Sequence, residues 1–259
     1  MKITILGARG SIPVEGKEYT EFGGATSCVM VEAGGTVIFL DAGTGIVNAP
    51  AVAGPVSVLI THPHIDHLIG LPFFRNLNLK DGRVDIYAIP RMGRGARDQV
   101  TAFISGPLWP CTPEDYPADI RFYDMETPVV IGDVKITSTE SNHPGGSTVF
   151  RLEHEGRSLV YASDYEHSAD TDESLIKFAA SADLLFYDGQ YTEAEYDSKK
   201  GYGHSVPGHG VKIMERSGAG MLRIVHHDPR HTDEMLKDME DKISTDKISF
   251  ARQGEVIWI

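Results

Sequence analysis

Three histidines and an aspartate crowd into THPHIDHLIG, Thr61 to Gly70, in a chain of 259 residues that spreads the rest of its 11 histidines thinly. The β-rich run from Val56 to Ile60 ends immediately before it, and Pro63 stops a ladder from continuing. The cluster therefore sits on a loop at the C-terminal end of a strand. His62 and His64 lie two apart and can point the same way, whereas Asp66 and His67 lie past a bend and can face a second point. That spacing suits two neighbouring metal ions. Imidazole and carboxylate donors without thiolate favour zinc, manganese or iron, and a pair of such ions about 3.5–4 Å apart is a recurring hydrolytic arrangement. Two ions need more donors than one loop supplies, so the fold has to bring other strand ends to the same place.

Donors of the right kind stand at other strand ends. His143 follows the run Val134 to Ser138 in SNHPGG, Asp164 follows Ser158 to Ala162 in YASDYE, and His226 follows Leu222 to Val225 in IVHHDP. Asp41 likewise ends its strand in FLDAGTG.

The rest of the chain is organised around such strands. Lys2 to Leu6, Ser27 to Glu32 and Val37 to Asp41 read as sheet separated by glycine turns, and Val84 to Ile89 as a strand between helices at Leu68 to Leu77 and Arg94 to Ile104. Gly106 to Asp119, GPLWPCTPEDYPAD, has four prolines and reads as an irregular excursion placed to act as a lid that selects substrate. Strands resume at Val129 to Ile131 and at Thr148 to Glu153. After Ala162, helices near Asp172 to Ala180, Pro207 to Arg216 and Asp233 to Ile243 alternate with strands Leu184 to Tyr187 and Leu222 to Val225, and Val256 to Ile259 closes as a strand. Runs of strands with helices collected between them predict an α+β fold of two packed sheets with helices outside. No linker divides residues 1–259, so one domain is expected.

Composition narrows the partners. With 41% hydrophobic residues the chain can bury a large core, and no apolar run approaches the roughly 18 residues that a membrane span needs. MKITILGARG reads as a strand entering a turn, so a cytoplasmic protein is expected. Cys28 and Cys111 are too few for a disulfide framework and read as packing thiols. A net charge of -13 without a dense Lys/Arg run disfavours a long polyanionic partner.

The order LDAGTG, His-x-His-x-Asp-His, a lone His, a lone Asp and a final His resembles the metallo-β-lactamase superfamily across nearly the whole chain. The resemblance implies a four-layer αββα sandwich of two mixed sheets with helices on the outer faces. It implies two divalent ions, zinc first among them, with His62, His64 and His143 on one, Asp66, His67 and His226 on the other, and Asp164 bridging. Asp41 would orient a ligand. Bound ions of this kind lower the pKa of a bridging water to give hydroxide near neutrality, which Asp66 and Asp164 would orient for in-line attack on phosphorus.

Details choose among branches. The true β-lactamases carry a cysteine where Asp164 stands. Glyoxalase II enzymes, thioester hydrolases, add a helical C-terminal domain, whereas about 33 residues follow His226. KKGYGHSVPGHGVKIMERSGAGMLRIVHH is similar to the ribonuclease Z and cyclic-nucleotide-phosphodiesterase-like branch, in which a non-ligand histidine assists at the leaving oxygen. That position is His204. Asp188, after Leu184 to Tyr187, would orient it as a proton donor, an acid shorter than the branch's usual His-Glu pair. Ribonuclease Z enzymes carry a long arm that grips transfer RNA, commonly between the lone His and the bridging Asp; only 20 residues separate His143 from Asp164. Transfer RNA is therefore not expected. The expected substrate is a small phosphodiester, a cyclic nucleotide or cyclic sugar phosphate, with a homodimer open as an assembly. The rivals are a thioester hydrolase and a metal-binding sensor without catalysis.

Other residues carry less. His227 is expected beside the ligands rather than among them, His154 and His209 on the surface, and His167 at the pocket wall or on a solvated loop. Arg230 in DPRH is a candidate phosphate contact, although an exposed arginine near a helix start is the commoner case. Trp109 and Phe103 either wall the pocket or belong to the core.

Overall fold

Alternation of apolar residues with period two gives each strand two faces, and in this chain both faces are used. The computed structural model describes residues 1–259. One sheet begins with β1 (Lys2–Gly7), β2 (Cys28–Ala33), β3 (Thr36–Leu40), β4 (Pro55–Ile60), β5 (Arg83–Ala88) and β6 (Asp119–Asp124). The other takes β7 (Val129–Ile131), β8 (Val134–Ser141), β9 (Ser147–His154), β10 (Arg157–Ala162), β11 (Leu184–Asp188), β12 (Met221–Val225) and β13 (Ile248–Phe250). The last strand, β14 (Val256–Trp258), returns to the first sheet and pairs antiparallel with β1. The sheet orders are β14-β1-β2-β3-β4-β5-β6 and β13-β12-β11-β10-β9-β8-β7. Each sheet runs antiparallel at one end and turns parallel at the other, from β3 to β6 and from β10 to β13. The strand ends at which the sequence places candidate donors belong mostly to these parallel halves.

Ile3, Ile5, Val29, Val31, Ile38 and Leu40 face inward from the first sheet and meet Ile136, Phe150, Leu152, Leu159, Leu184 and Phe186 of the second. Their alternating neighbours face outward: Met30, Phe39, Val58 and Ile60 under one outer layer, Val160, Leu185, Leu222 and Ile224 under the other. The outer layers hold α1 (Ala96–Thr101) on the first sheet and α2 (Ala169–Phe178), α4 (Pro207–Ser217) and α5 (Asp233–Glu240) on the second, with a short α3 (Glu193–Tyr196) beside them. Ser168 caps α2 by accepting from the Thr171 N–H. This is the expected four-layer αββα sandwich.

Several elements differ from the sequence reading. Leu68 to Leu77 is no helix but part of a series of 3-10 turns at Ile65–His67, Leu71–Phe73 and Arg75–Asn78. The Gly70 N–H is spent on the Ala42 carbonyl at 3.0 Å and Pro72 has none to give, so no i→i−4 ladder can run through. The helix expected over Arg94 to Ile104 shrinks to α1, because Arg94 is tied into a turn with Arg91. Two strands, β6 and β13, escaped notice: DIRFYD is a polar edge strand behind the proline-rich segment, and ISF is three residues long. The segment Gly106 to Asp119 joins the outer layer of the first sheet. There Phe103, Trp109 and Tyr116 are partly buried against that layer's core, with the Trp109 indole N–H donating to the Tyr116 hydroxyl at 3.2 Å. Trp109 and Phe103 thus pack as core.

Candidate metal centre

The C-terminal ends of β3, β4, β8, β10, β11 and β12 converge on one edge of the sandwich, and the structure brings all seven sequence-predicted donors together there. His62, His64, His143 and Asp164 form one group whose donor atoms lie within 4.8 Å of one another, and Asp66, His67 and His226 form a second. Asp164 faces both. Its Oδ2 lies 3.0 Å from His67 Nε2, and its Oδ1 lies 3.3 Å from His226 Nε2 and 3.7 Å from His62 Nε2. Asp66 Oδ2 lies 3.2 Å from His226 Nε2 and 3.4 Å from His67 Nε2.

Hydrogen bonds at the outer nitrogen of four of the five rings fix which nitrogen faces inward. His67 Nδ1–H donates to Asp41 Oδ2 at 2.8 Å, His143 Nδ1–H to the Gly203 carbonyl at 2.9 Å, and His226 Nδ1–H to Gln190 Oε1 at 3.0 Å. For His62 the partner is Thr61 Oγ1 at 3.1 Å, whose own hydroxyl lies 3.0 Å from Asp41. Each of these rings therefore turns its Nε2 toward the others. His62 Nε2 is buried without any hydrogen-bond partner, a costly state for a polar atom that a cation held among these donors relieves. The donor set fits a pair of divalent ions. His64 alone among the seven is exposed and opens the cluster to solvent.

Strain accompanies the convergence. Asp41, Asp164 and His226 all adopt positive φ, at 62°, 54° and 62°, a region that non-glycine residues enter at a cost of about 1–3 kcal/mol each. Each follows a strand and swings its side chain across the sheet edge. The GARG turn contributes too: the Ser11 N–H donates to Asp66 Oδ2 at 2.7 Å, and any side chain on Gly10 would come within 2.2 Å of His226 Nδ1.

Burial opposes charge throughout the site, and the residues answer it differently. Burial pushes His62 well below the ordinary imidazole value, and His143 below it. It works against His226 as well, but Asp164 and Asp66 outweigh it and raise that ring to about 9. Burial likewise works against ionisation of Asp66 and Asp164, yet the facing histidines hold both carboxyls well below their usual range. At pH 7 the His226 ring thus carries a proton that a metal ion must displace. Metal uptake at pH 7 is expected to release protons, with affinity climbing as pH rises toward 9. Calorimetric titration in two buffers of different ionisation enthalpy measures this. Equal apparent enthalpies would mean that no proton leaves.

His204 stands against the cluster without belonging to either group of the seven. Its ring stacks on His226 with centroids 4.6 Å apart, and its Nδ1–H donates to Asp188 Oδ2 at 2.8 Å, which leaves Nε2 free. Asp188 is fully buried and accepts backbone N–H bonds from Gln190, Ser205 and Tyr165 as well. The Asp188–His204 contact anticipated from sequence is therefore present.

The remaining candidates separate cleanly. His227 turns away: its Nε2–H donates to the Ala251 carbonyl and its ring stacks on Phe250. His167 bonds Ser205 Oγ at 2.8 Å and stacks on His209 at 3.5 Å, so His209 is half-buried rather than a free surface residue, as is His154. Arg230 is an exposed side chain paired with Asp228 at 2.8 Å, in keeping with the commoner case for an arginine near a helix start. Cys28 is buried, and burial, with Asp41 adding to it, pushes its thiol well above the ordinary range. Sequence reasoning missed Gln190, Ser11 and Glu166. The Glu166 carboxylate receives the Gly201 and Gly203 N–H groups and so braces the loop whose Gly203 carbonyl aims His143. Only three-dimensional proximity links these residues to the site; the adjacency of Glu166 to the motif aspartate in SDYE was the one available signal.

Residues 36–227 match the family model described as the beta-lactamase superfamily domain. A ribonuclease Z from Bradyrhizobium diazoefficiens is 22% identical over 90% of this chain and 92% of its own length. Among solved structures, a diphosphatase from the PhnP family superposes with a TM-score of 0.74 at 17% identity, covering 100% of this chain and 97% of its own. The short form of human tRNase Z gives 0.72 at 19% identity, covering 100% and 99%. No helix is long and apolar enough to cross a membrane.

Proposed function

The chain belongs to the beta-lactamase superfamily, and on that premise we propose that it is a metal-dependent hydrolase that cleaves a small phosphodiester, a cyclic nucleotide or cyclic sugar phosphate. His62, His64 and His143 would hold one divalent ion, Asp66, His67 and His226 a second, and Asp164 would serve both. Zinc is the first choice, and the same donors accept manganese or iron. Ions bound there supply an activated water and neutralise charge that develops on phosphoryl oxygens. The chain's own residues do the rest. Asp41, Gln190 and the Gly203 carbonyl keep the imidazoles aimed, and Asp188 holds His204 so that Nε2–H meets the departing oxygen.

The buried Asp188–His204 pair carries this reading. An alkoxide is a poor leaving group and gains from a positioned proton donor, whereas a thiolate departs readily without one. That asymmetry favours an oxygen ester of phosphate over the thioester of a glyoxalase II-type enzyme. A non-catalytic metal sensor has no use for a braced histidine beside its ions. Metal-loaded protein is expected to turn over bis(p-nitrophenyl) phosphate and to leave a glutathione thioester essentially untouched. Thioesterase activity without phosphodiesterase activity would reverse the assignment.

The relatives named ribonuclease Z keep transfer RNA as a second reading. Two features of this chain weigh against it. Between His143 and Asp164 there is only the β9–β10 hairpin with its Glu155-Gly156 turn, and the alignment to the Bradyrhizobium relative spans 297 positions. That is more than the 259 residues here, so the relative carries segments that this chain lacks. A precursor transfer RNA offered at low salt is expected to stay uncut.

A further inference from the structure

Beside the exposed His64 lies a cavity of about 360 Å³ whose walls include His62, His64, Arg91, Arg94 and Gln99 and no aspartate or glutamate. In a chain of net charge -13, a metal-side cavity with two arginines and no acid is a local reversal of sign. The segment that supplies it, Arg91-Met92-Gly93-Arg94, is built against three local preferences. Its ends exchange backbone hydrogen bonds, Arg91 N–H to the Arg94 carbonyl at 3.0 Å and Arg94 N–H to the Arg91 carbonyl at 2.8 Å. The two arginines are therefore directly opposed residues of a hairpin with side chains on one face, where like charges repel. Met92 takes φ of 50° ahead of Gly93 at 73°, a turn in which asparagine or aspartate is the favoured first residue. Met92 is also 88% exposed. Local choices that disagree with local preference are expected where function imposes them.

Only Arg91 has a carboxylate partner, Glu140 at 2.9 Å, and that acid is 63% exposed. Arg91 also donates to Thr148 Oγ1 at 2.6 Å, and its Nε is buried without a partner. A side chain at Gly146 would come within 2.4 Å of its Nη1, so glycine there lets the guanidinium lie across the loop that follows His143. Arg91 is thus a fixed cation and Arg94 an uncommitted one, side by side.

We infer that this cavity seats a second phosphate of the substrate, so that the protein acts on a phosphodiester that also carries a phosphate monoester, held by Arg94 with Arg91 while the diester lies at the metal donors. The inference rests on the phosphodiesterase reading and adds the substrate's second charge. Two guanidiniums suit a phosphate monoester, which offers several anionic oxygens to their forked donors.

The test uses the metal-loaded full chain and a matched pair, thymidine 5′-(p-nitrophenyl phosphate) with and without a 3′-phosphate. The leaving group is the same in both. The phosphorylated substrate is expected to show a KM lower on the order of 10–100-fold, as charged hydrogen bonds imply. Arg94→Ala should erase most of that ratio and Arg94→Lys should restore part of it. Arg94 has no structural partner, so these variants avoid the folding risk of Arg91→Ala. Equal KM values in the unmodified protein, or a ratio that survives Arg94→Ala, would overturn the inference. Turnover of neither substrate would defeat the phosphodiesterase reading instead. In that event equilibrium binding of thymidine 3′,5′-bisphosphate against thymidine 5′-monophosphate still decides: tighter binding of the bisphosphate that Arg94→Ala abolishes supports the site, and equal affinity rejects it.

Discussion

Asp164→Ala is expected to abolish turnover and to lower the metal content at both positions, because this one carboxylate faces both donor groups. Its oxygens lie 3.0 Å from His67 Nε2, 3.3 Å from His226 Nε2 and 3.7 Å from His62 Nε2. Asp66, the other acid among the seven, lies 3.2 Å from His226 Nε2 and 3.4 Å from His67 Nε2, both in a single donor group. Removal of a residue that merely orients a ligand costs roughly 10–100-fold in affinity or activity; loss of a shared ligand should cost well beyond that. The change also strips the folded protein of the charge that does most to raise His226 against its burial. That ring should lose its proton at lower pH in the variant, and the proton release on any residual metal uptake at pH 7 should shrink with it. Elemental analysis together with turnover of a nitrophenyl phosphodiester measures the main effect. A variant that retains two ions and near-normal activity would refute the bridging role. Asp41→Ala offers the contrast: Asp41 touches His67 only through its outer nitrogen, so its loss should fall within the smaller range.

The candidate ligands were legible in the sequence because they stand at the end of a strand or on the loop just past it. An apolar run that stops at a histidine or aspartate announces both an element and the direction of its end, and two sheets packed face to face leave few places for several such ends to meet. Asp188, at the end of β11, and His204, ahead of α4, were read as a pair only through the resemblance to the ribonuclease Z branch. What holds the ligands was not legible. Gln190 reaches His226 across 36 positions and the Gly203 carbonyl reaches His143 across 60, and no periodicity encodes such contacts. Nor does sequence reveal that Asp41, Asp164 and His226 turn into the left-handed region, since packing imposes that conformation against the local preference. The 3-10 turns after His67 were misjudged through hydrophobic spacing alone: Leu68, Leu71, Phe74 and Leu77 do share a buried face, but Pro72 and the diverted Gly70 N–H break the ladder that a helix would need. The excursion from Gly106 to Asp119 was identified as irregular, but the structure packs it on the outer layer, and none of its residues lines the cavity beside His64. Substrate selection is better sought at the Arg91–Arg94 turn.

His204→Ala should leave the metal content unchanged and lower turnover on the order of 10²–10⁴-fold, the range for loss of a general acid. Metal content separates this from a ligand's role, since a ring nitrogen of His204 lies within 4.8 Å of donor atoms of Asp164 and His226. The leaving group supplies the sharper criterion. A ribose oxygen needs the proton that His204 Nε2 would deliver, whereas p-nitrophenolate departs largely without it, so the defect should be far larger on a cyclic nucleotide than on the nitrophenyl ester. Asp188→Asn should give a milder form of the same pattern. Asp188 aims the ring through the 2.8 Å bond to Nδ1, and the same carboxylate is anchored by the Gln190, Ser205 and Tyr165 N–H groups. An amide of equal size keeps an acceptor for some of these donors but no longer pairs with the charge that the ring carries while it is a proton donor. Equal defects on both leaving groups would assign His204 to substrate positioning rather than proton transfer. Loss of an ion in His204→Ala would make it a ligand, and Asp188 would then be the residue that orients that ligand.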